Sequence, residues 1–498
     1  MQGTGAPRKH RARIPFVFAA PVLLACVGTV QIVAGEVIPV SGGLGWDGRF
    51  YANVAADLPR AVSGGEIDVY HVRRIVPSAM VWFALHALGR PLDAEHARET
   101  FAWLNLAFQL LTLAAWTAAA RRTGLDEGGL WLGFVLLFFN FANLKMPFYY
   151  APLTDSAAQA LGAALLYFHV ARRPVGMVVV LVLGAFTWAS FLVFGGLLFV
   201  YPLESTELRR APRWWPPVLV SSAVIAFSAL VLVHRADVAR LGGSAVAAVV
   251  VAAYLGRVVG DLAGGDAVTP SVLLRRPALA RWAVVMALAA AAVVAARALG
   301  APTRFGTGYF LRHLAIYSLA RPGLFLVAHA AYFGLVVAVI AVFWPQVVAS
   351  VHRLGTGFTL FVLAHLVWGI HPESRQIVDG LPALALVATS AASTRCWPRA
   401  TIPTAAVLAL IASKVWLPIN HGGFLGRSDP ETYPAQYYFM NQGPWMASGP
   451  YLVQAAALVA ACALLWVVRR RLPPAPTAEA AAPPIAVPSA VLGSRPCQ

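Results

Sequence analysis

Charge is what this 498-residue chain has least of: only 12% of its residues are Asp, Glu, Lys or Arg, about half the share of an ordinary soluble protein. Apolar residues make up 59%, and the mean hydropathy is +0.69. Those values exclude a soluble globular protein, and equally a solvated disordered coil. Lysine is nearly missing, with Lys9, Lys145 and Lys414 the only three among 38 basic residues, against 21 acids. The net charge of +17 would suit nucleic-acid binding if the basic side chains formed one patch. They form instead short arginine clusters between apolar runs, the pattern of the positive-inside rule, so no nucleic-acid partner is expected. The four cysteines, Cys26, Cys396, Cys462 and Cys497, are scattered, without zinc-type spacing or a disulfide framework. A Walker A loop, a GxSxG serine elbow and an HExxH zinc helix are all missing, which leaves nucleotide hydrolysis and zinc peptidase chemistry unsupported. Acids inside the apolar runs are almost absent, and that weakens a proton-coupled transporter.

What is present is a series of apolar runs of about 20 residues from end to end, the mark of helices that cross a bilayer. Barrel-type alternation is lacking, so the expected fold class is all-α: a polytopic transmembrane helix bundle of about 12–14 helices. The run 14–34 follows Arg8, Lys9, Arg11 and Arg13 and reads as an uncleaved first helix starting in the cytoplasm. Arg121-Arg122, Arg172-Arg173, Arg209-Arg210, Arg275-Arg276 and Arg469-Arg470-Arg471 mark further inner-face turns. They predict helices near 100–120, 129–146, 156–171, 214–233, 241–259, 282–299, 323–344, 357–370, 379–394, 401–418 and 450–468. The run 175–203 is too long for one untilted span and predicts two short helices meeting around Thr187-Trp188-Ala189-Ser190. Residues 76–89 are too short for a span and predict a helix lying at, or re-entering, the outer surface. The chain thus reads as one membrane unit, 1–471, with outer loops 41–99, 147–155, 301–322, 371–378 and 419–449. A Pro/Ala-rich disordered cytoplasmic tail, 472–498, follows.

The outer loops hold the polar chemistry. In Trp46-Asp47-Gly48-Arg49-Phe50-Tyr51 an acid flanked by aromatics sits at the membrane interface, where it can accept a proton from a hydroxyl or hold a cation. It can equally cap a turn. In Tyr70-His71-Val72-Arg73-Arg74-Ile75-Val76-Pro77 the adjacent arginines, on the side the charge bias disfavours, ask for an anion such as phosphate or for lipid headgroups. Tyr149-Tyr150-Ala151-Pro152-Leu153-Thr154-Asp155 places Asp155 at a helix start, a position suited to capping and compatible with catalysis. His371-Pro372-Glu373-Ser374-Arg375 can be a self-neutralising turn or part of a site. The loop 303–322 carries Tyr309, Arg312, His313 and Tyr317. The long loop 420–450 adds Asp429, Glu431 and many aromatics, which suit sugar faces, acyl chains or an interfacial belt.

These segments resemble the GT-C superfamily, integral-membrane glycosyltransferases that use polyprenyl-phosphate sugars. The likeness is carried by Trp46-Asp47-Gly48-Arg49-Phe50-Tyr51, by the aromatic/arginine segment before Pro77, and by the later outer acid Asp155. It is similar, more distantly, to the glycosylphosphatidylinositol mannosyltransferases, whose first loop carries a Trp-Asp pair. The resemblance implies a GT-C-like fold in the inner (plasma) membrane and inverting transfer at the non-cytoplasmic face. The implied donor is a polyprenyl-phosphate-linked sugar, and the acceptor a glycan, lipid or protein. Of the catalytic pair, Asp47 would be the general base and Asp155 would orient the acceptor or assist a cation, while Arg73 or Arg74, with Arg375, would hold the donor phosphate. Arg49, Tyr51, His71, Tyr149, Tyr150, His371 and Glu373 would contact substrate. Many members carry two acids in the first loop, whereas Gly48 follows Asp47 here, so the need for Mg2+ or Mn2+ stays open. A flippase for a lipid-linked glycan, and an O-antigen-type polymerase or ligase resting on loops 303–322 and 419–449, are the alternatives.

Overall fold

The computed structural model describes residues 15–64, 67–203, 215–234, 244–264, 268–303, 305–398, 400–420, 443 and 446–475. The chain is an all-α polytopic membrane protein: every regular element among the described residues is a helix. The only β-type pairings there are isolated bridges, Asp68 with Ala301 and Arg395 with Pro474. Five helices are long and apolar enough to cross a bilayer, Phe16–Ala34, Ala94–Arg122, Ala245–Ala263, Arg276–Leu299 and Ser448–Arg471. The number rises to seven if two bent pairs each count as one span, Glu127–Phe138 with Phe141–Tyr149 (76°) and Leu335–Val342 with Trp344–Arg353 (90°). Seven further apolar helices run 10–17 residues. The two bends fall inside the runs expected near 129–146 and 323–344, and each has a local cause. Asn140 ends one helix and caps the next, its side chain accepting from Asn143 N at 3.1 Å. At the second bend the helix ends at Phe343, φ −100° and ψ 22°, and Pro345 opens the next one; a separate break lies at Gly334, whose φ of +67° stops the helix Leu324–Phe333. The run 175–203 divides as expected, into Pro174–Ala185 and Phe191–Val200.

The helices that place the site are α1 (Phe16–Ala34), α2 (Gly48–Ala56), α3 (Val69–Val72), α4 (Ile75–Ala87), α5 (Ala94–Arg122) and α6 (Asp155–Val170). Further along the chain, α7 (Thr307–Ser318) and α8 (Gly355–Trp368) precede a 3-10 segment, Ser374–Gly380. α5 and α6 pack side by side, and the 3-10 segment lies against α6. That approach is close because residue 162 is glycine; a Cβ there would collide with the Asp379 carbonyl. The irregular backbone 141–151 leaves carbonyls without helical partners, a costly state in an apolar bundle. Polar side chains on α5 answer it: Asn105 donates to the carbonyls of Pro147 and Ala151 at 2.8 Å each, and Gln109 to that of Asn143 at 2.5 Å. α4 turns Pro77, Ser78, Val81 and Leu85 inward and leaves Met80 and Phe83 exposed.

A polar knot closes this end of the bundle. Glu36, just past α1, accepts from Lys145 Nζ at 2.8 Å and from the backbone N–H groups of Ile419 and Asn420 at 2.9–3.0 Å. Burial pushes the Glu36 carboxyl up, but the lysine and the two N–H donors outweigh it and hold it below the usual range. Residues 421–442, 444–445 and 476–498, and with them Asp429, Glu431 and most of the expected tail, lie outside the described residues.

Candidate functional site

The turn that carries Asp47 is wrapped around a tyrosine ring. Tyr150 is 3% exposed, and its hydroxyl accepts the backbone N–H of Asp47 at 2.7 Å and of Gly48 at 3.3 Å. Gly45 sits at φ +69°, and any Cβ there would fall on the Tyr150 ring. The N-terminus of α2 is therefore satisfied by a phenol from another part of the chain. This frees the Asp47 side chain: it occupies the N-cap position yet makes no capping hydrogen bond. The contrast within the chain is informative, since Asp57, Asp68, Asp93 and Asp126 all cap their helices through side-chain oxygens. Among the described residues the half-buried Asp47 carboxylate accepts no hydrogen bond and forms no salt bridge.

Asp155 has the opposite environment. It is 8% exposed at the start of α6 and is clasped by Arg375, Nε to Oδ1 at 2.8 Å and Nη2 to Oδ2 at 3.0 Å. Burial alone pushes the Arg375 guanidinium down; the facing Asp155 carboxylate reverses this and holds it well above the ordinary arginine value. Glu373 stands 4.0 Å from the same guanidinium and accepts from Gln376 at 3.2 Å. The charges of the 371–376 turn are thus balanced by an acid from another helix more than by the turn itself.

The two adjacent arginines, in the turn between α3 and α4, part company. Arg73 donates to the Ala189 carbonyl at 2.7 Å and ties the first loop to the break between the helices at 174–185 and 191–200. Arg74, 4% exposed, lies between the rings of Tyr70 (4.4 Å) and Trp188 (4.5 Å), and its Nε has no partner. His71, 7% exposed, directs Nδ1 to Asp68 Oδ1 at 2.8 Å, while its Nε2 has no partner. Asp68 is acceptor-only when ionised, so the imidazole nitrogen facing it, Nδ1, is the donor of this contact.

These elements enclose a cavity of about 780 Å³. The first loop contributes Asp47, Arg49, Asp68, Tyr70 and His71 to its wall; α7 and the residues before it add Thr303, Phe305, Tyr309, His313 and Tyr317. The turn after α8 adds His371, Glu373 and Gln376. Of the residues expected from the sequence, Asp47, Arg49, His71, His371 and Glu373 therefore share one wall. Tyr51, Tyr149 and Tyr150 are buried behind it, and Tyr149 donates to Asn420 Oδ1 at 2.9 Å. Asp155, Arg73, Arg74 and Arg375 are not wall residues either. Arg74 stacks directly behind Tyr70, and Arg375 is joined to the wall through Glu373. Burial pushes the His371 imidazole down, so it is neutral at pH 7. Asp68, Tyr70 and Gln376 were not singled out from the sequence. The Asp68–His71 spacing of three, an N-cap acid ahead of a short helix, is the signal that could have found the first. Among the described residues no group of three or more His, Cys, Asp or Glu is arranged to hold a metal ion. The ligand set that Mg2+ or Mn2+ would need is not assembled there.

Fold and site together define a helical membrane protein with an open cavity that is aromatic and acidic at one end of its bundle. No family model matches the sequence, and no curated protein matches it. Among solved structures the chain is similar to the archaeal oligosaccharyltransferase AglB from Archaeoglobus fulgidus, solved with an inhibitory peptide and a dolichol-phosphate. The identity is 12% and the TM-score 0.39, over 89% of this chain and 55% of that one. The chain spans little more than half the length of that protein. A likeness this slight decides nothing about chemistry.

Proposed function

We propose that this chain is a membrane glycosyltransferase of GT-C type. In this reading it moves a sugar from a polyprenyl-phosphate donor to an acceptor hydroxyl at the outer face of the inner membrane, with inversion. The observation that carries the reading is the Asp47 carboxylate: fixed through its backbone, relieved of capping, unpaired among the described residues, and facing a cavity. A carboxylate in that state can take the proton of an acceptor hydroxyl. The hydroxyl oxygen then bonds to the anomeric carbon from the face opposite the phosphate. The bond from that carbon to the phosphate oxygen breaks, and its electron pair leaves on the polyprenyl phosphate. Of the arginines, Arg73 is committed to Ala189 and Arg375 to Asp155. Arg49, exposed on the wall, is the cation best placed to face the donor phosphate. Asp155 acts by fixing Arg375, and so the turn that presents His371 and Glu373. No step is assigned to a metal ion.

The test is transfer of labelled sugar from polyprenyl-phosphate hexoses by the full chain, wild type against Asp47→Asn. The expected loss is about 10²-fold or more in kcat, the usual worth of a general base. Full activity in folded Asp47→Asn removes Asp47 from that role. Flux of a lipid-linked glycan without covalent product would favour the flippase reading instead. The polymerase or ligase reading draws support from α7, whose Tyr309, His313 and Tyr317 line the same cavity.

A further inference from the structure

The chemistry of the cavity wall runs against that of the chain around it. The chain is 59% apolar and has 38 basic residues to 21 acids. Yet among the described residues none of the side chains lining the cavity is Val, Leu, Ile or Met, and three carboxylates, Asp47, Asp68 and Glu373, face one arginine, Arg49. The apolar surface is instead aromatic, with seven Trp, Phe and Tyr rings. Several are coupled: Tyr70 meets Phe305 at 5.3 Å and Phe310 at 6.1 Å, and His313 sits 3.9 Å from Tyr309 and 5.5 Å from Tyr317. A polyprenyl or acyl chain gains most from aliphatic walls, which the described residues of the lining do not supply. An acidic ligand would bring like charge against three carboxylates at the low dielectric of a cavity. A pyranose fits both halves of the pattern, its C–H face lying on aromatic rings and its hydroxyls donating to carboxylates.

We infer that this cavity is a saccharide subsite selective for uncharged pyranose rings, which stack on the wall of Tyr70, Phe305, Tyr309 and Tyr317 and donate to Asp47, Asp68 and Glu373, and that it rejects acidic sugars. The inference deepens the transferase reading and, as a substrate class, rests on it. It also places the lipid and phosphate of a donor outside the cavity, with the phosphate toward Arg49, the exposed cation of the wall.

Binding can be read without turnover, by saturation-transfer NMR on the full chain in detergent. The probes are methyl hexopyranosides and the matching methyl hexopyranosiduronates, which differ by one carboxylate. Wild type should bind the neutral glycosides and hold the uronates about tenfold or more weakly, the scale of one or two like-charge contacts screened by water. Glu373→Gln should narrow that gap. Tyr309→Ala, at a position 38% exposed and outside the packed core, should weaken the neutral glycosides and leave the fold intact. Uronates bound as well as neutral glycosides, or no saturation of any neutral glycoside, overturns the inference. Selective binding without any sugar transfer would uphold the subsite and defeat the transferase reading. Transfer of uronosyl and neutral sugars at equal rates would do the reverse.

Discussion

Replacing Asp155 by Asn separates a structural acid from a catalytic one. The carboxylate accepts both arms of the Arg375 guanidinium, at 2.8 and 3.0 Å, with the two side chains 11% and 17% exposed. Removing one partner of a buried pair strands the other charge, which costs about 3–5 kcal/mol. Arg375 retains Glu373 at 4.0 Å, so the low end, about 3 kcal/mol, is expected. Arg375→Gln should cost a similar amount. The double variant Asp155→Asn/Arg375→Gln should recover part of the loss, because neither charge is then left alone; a coupling of about 2 kcal/mol is expected for groups in direct contact. The measurement is equilibrium unfolding of the four proteins in one detergent, with sugar transfer followed in parallel. A positioning role predicts that activity and stability fall together and that the double variant regains both in part. The reasoning is refuted if Asp155→Asn unfolds like wild type while transfer is lost, since Asp155 would then act on the substrate itself.

Gly45→Ala should destabilise by about 2 kcal/mol or more, since it forces a side chain into the left-handed region and onto the Tyr150 ring. Thermal unfolding checks it, and transfer should fall as the Asp47 turn shifts. Tyr150→Phe leaves the N–H groups of Asp47 and Gly48 without their acceptor; a loss of about 1–3 kcal/mol is expected. Acid should loosen the Glu36 knot. The folded carboxyl lies below its ordinary value of 4.5, so its contribution is complete above that value and is lost as pH falls through the lower folded value. Glu36→Gln should flatten that part of the curve of unfolding temperature against pH, and an unchanged acid limb would show that the knot contributes nothing there.

The parts of the fold legible in the sequence are those with a local cause. The division of 175–203 was visible because Thr187-Trp188-Ala189-Ser190 interrupts an apolar run, and the helices duly end and restart at Ala185 and Phe191. The break at Gly334 was hidden, since glycine is common in membrane helices and only the backbone reveals its positive φ. The site divides in the same way. Asp47 and Glu373 could be nominated from their neighbours. That Asp155 would meet Arg375, 220 residues away, or that Arg74 would be stacked between Tyr70 and Trp188, depends on how α6, α4 and the 3-10 segment pack. Local pattern carries no such information. Tyr51, Tyr149 and Tyr150 looked like ligand contacts because they are aromatic and near acids, yet each is buried. In a helical bundle a phenol is as useful for satisfying a stray backbone group as for touching a substrate.

Asp47 and Asp155 illustrate how environment divides labour between identical side chains. Asp155 is buried, doubly hydrogen-bonded and faced by a permanent cation, so its oxygens are occupied. Such a group is a poor proton acceptor and a good anchor. What it anchors is the turn 371–376, which brings His371, Glu373 and Gln376 to the cavity. Asp47 is half-buried, has no cation in contact among the described residues, and is relieved even of capping by the Tyr150 hydroxyl. Its lone pairs are available, and its backbone cannot drift. If one of the two carboxylates moves a proton, the geometry favours Asp47; if one sets the shape of the cavity into which that proton is released, it is Asp155. The arginines differ in a similar way: Arg375 has its donors on Asp155, Arg73 has Nη2 on the Ala189 carbonyl, and Arg74 is held by π faces, with Nε of both Arg73 and Arg74 unpartnered among the described residues.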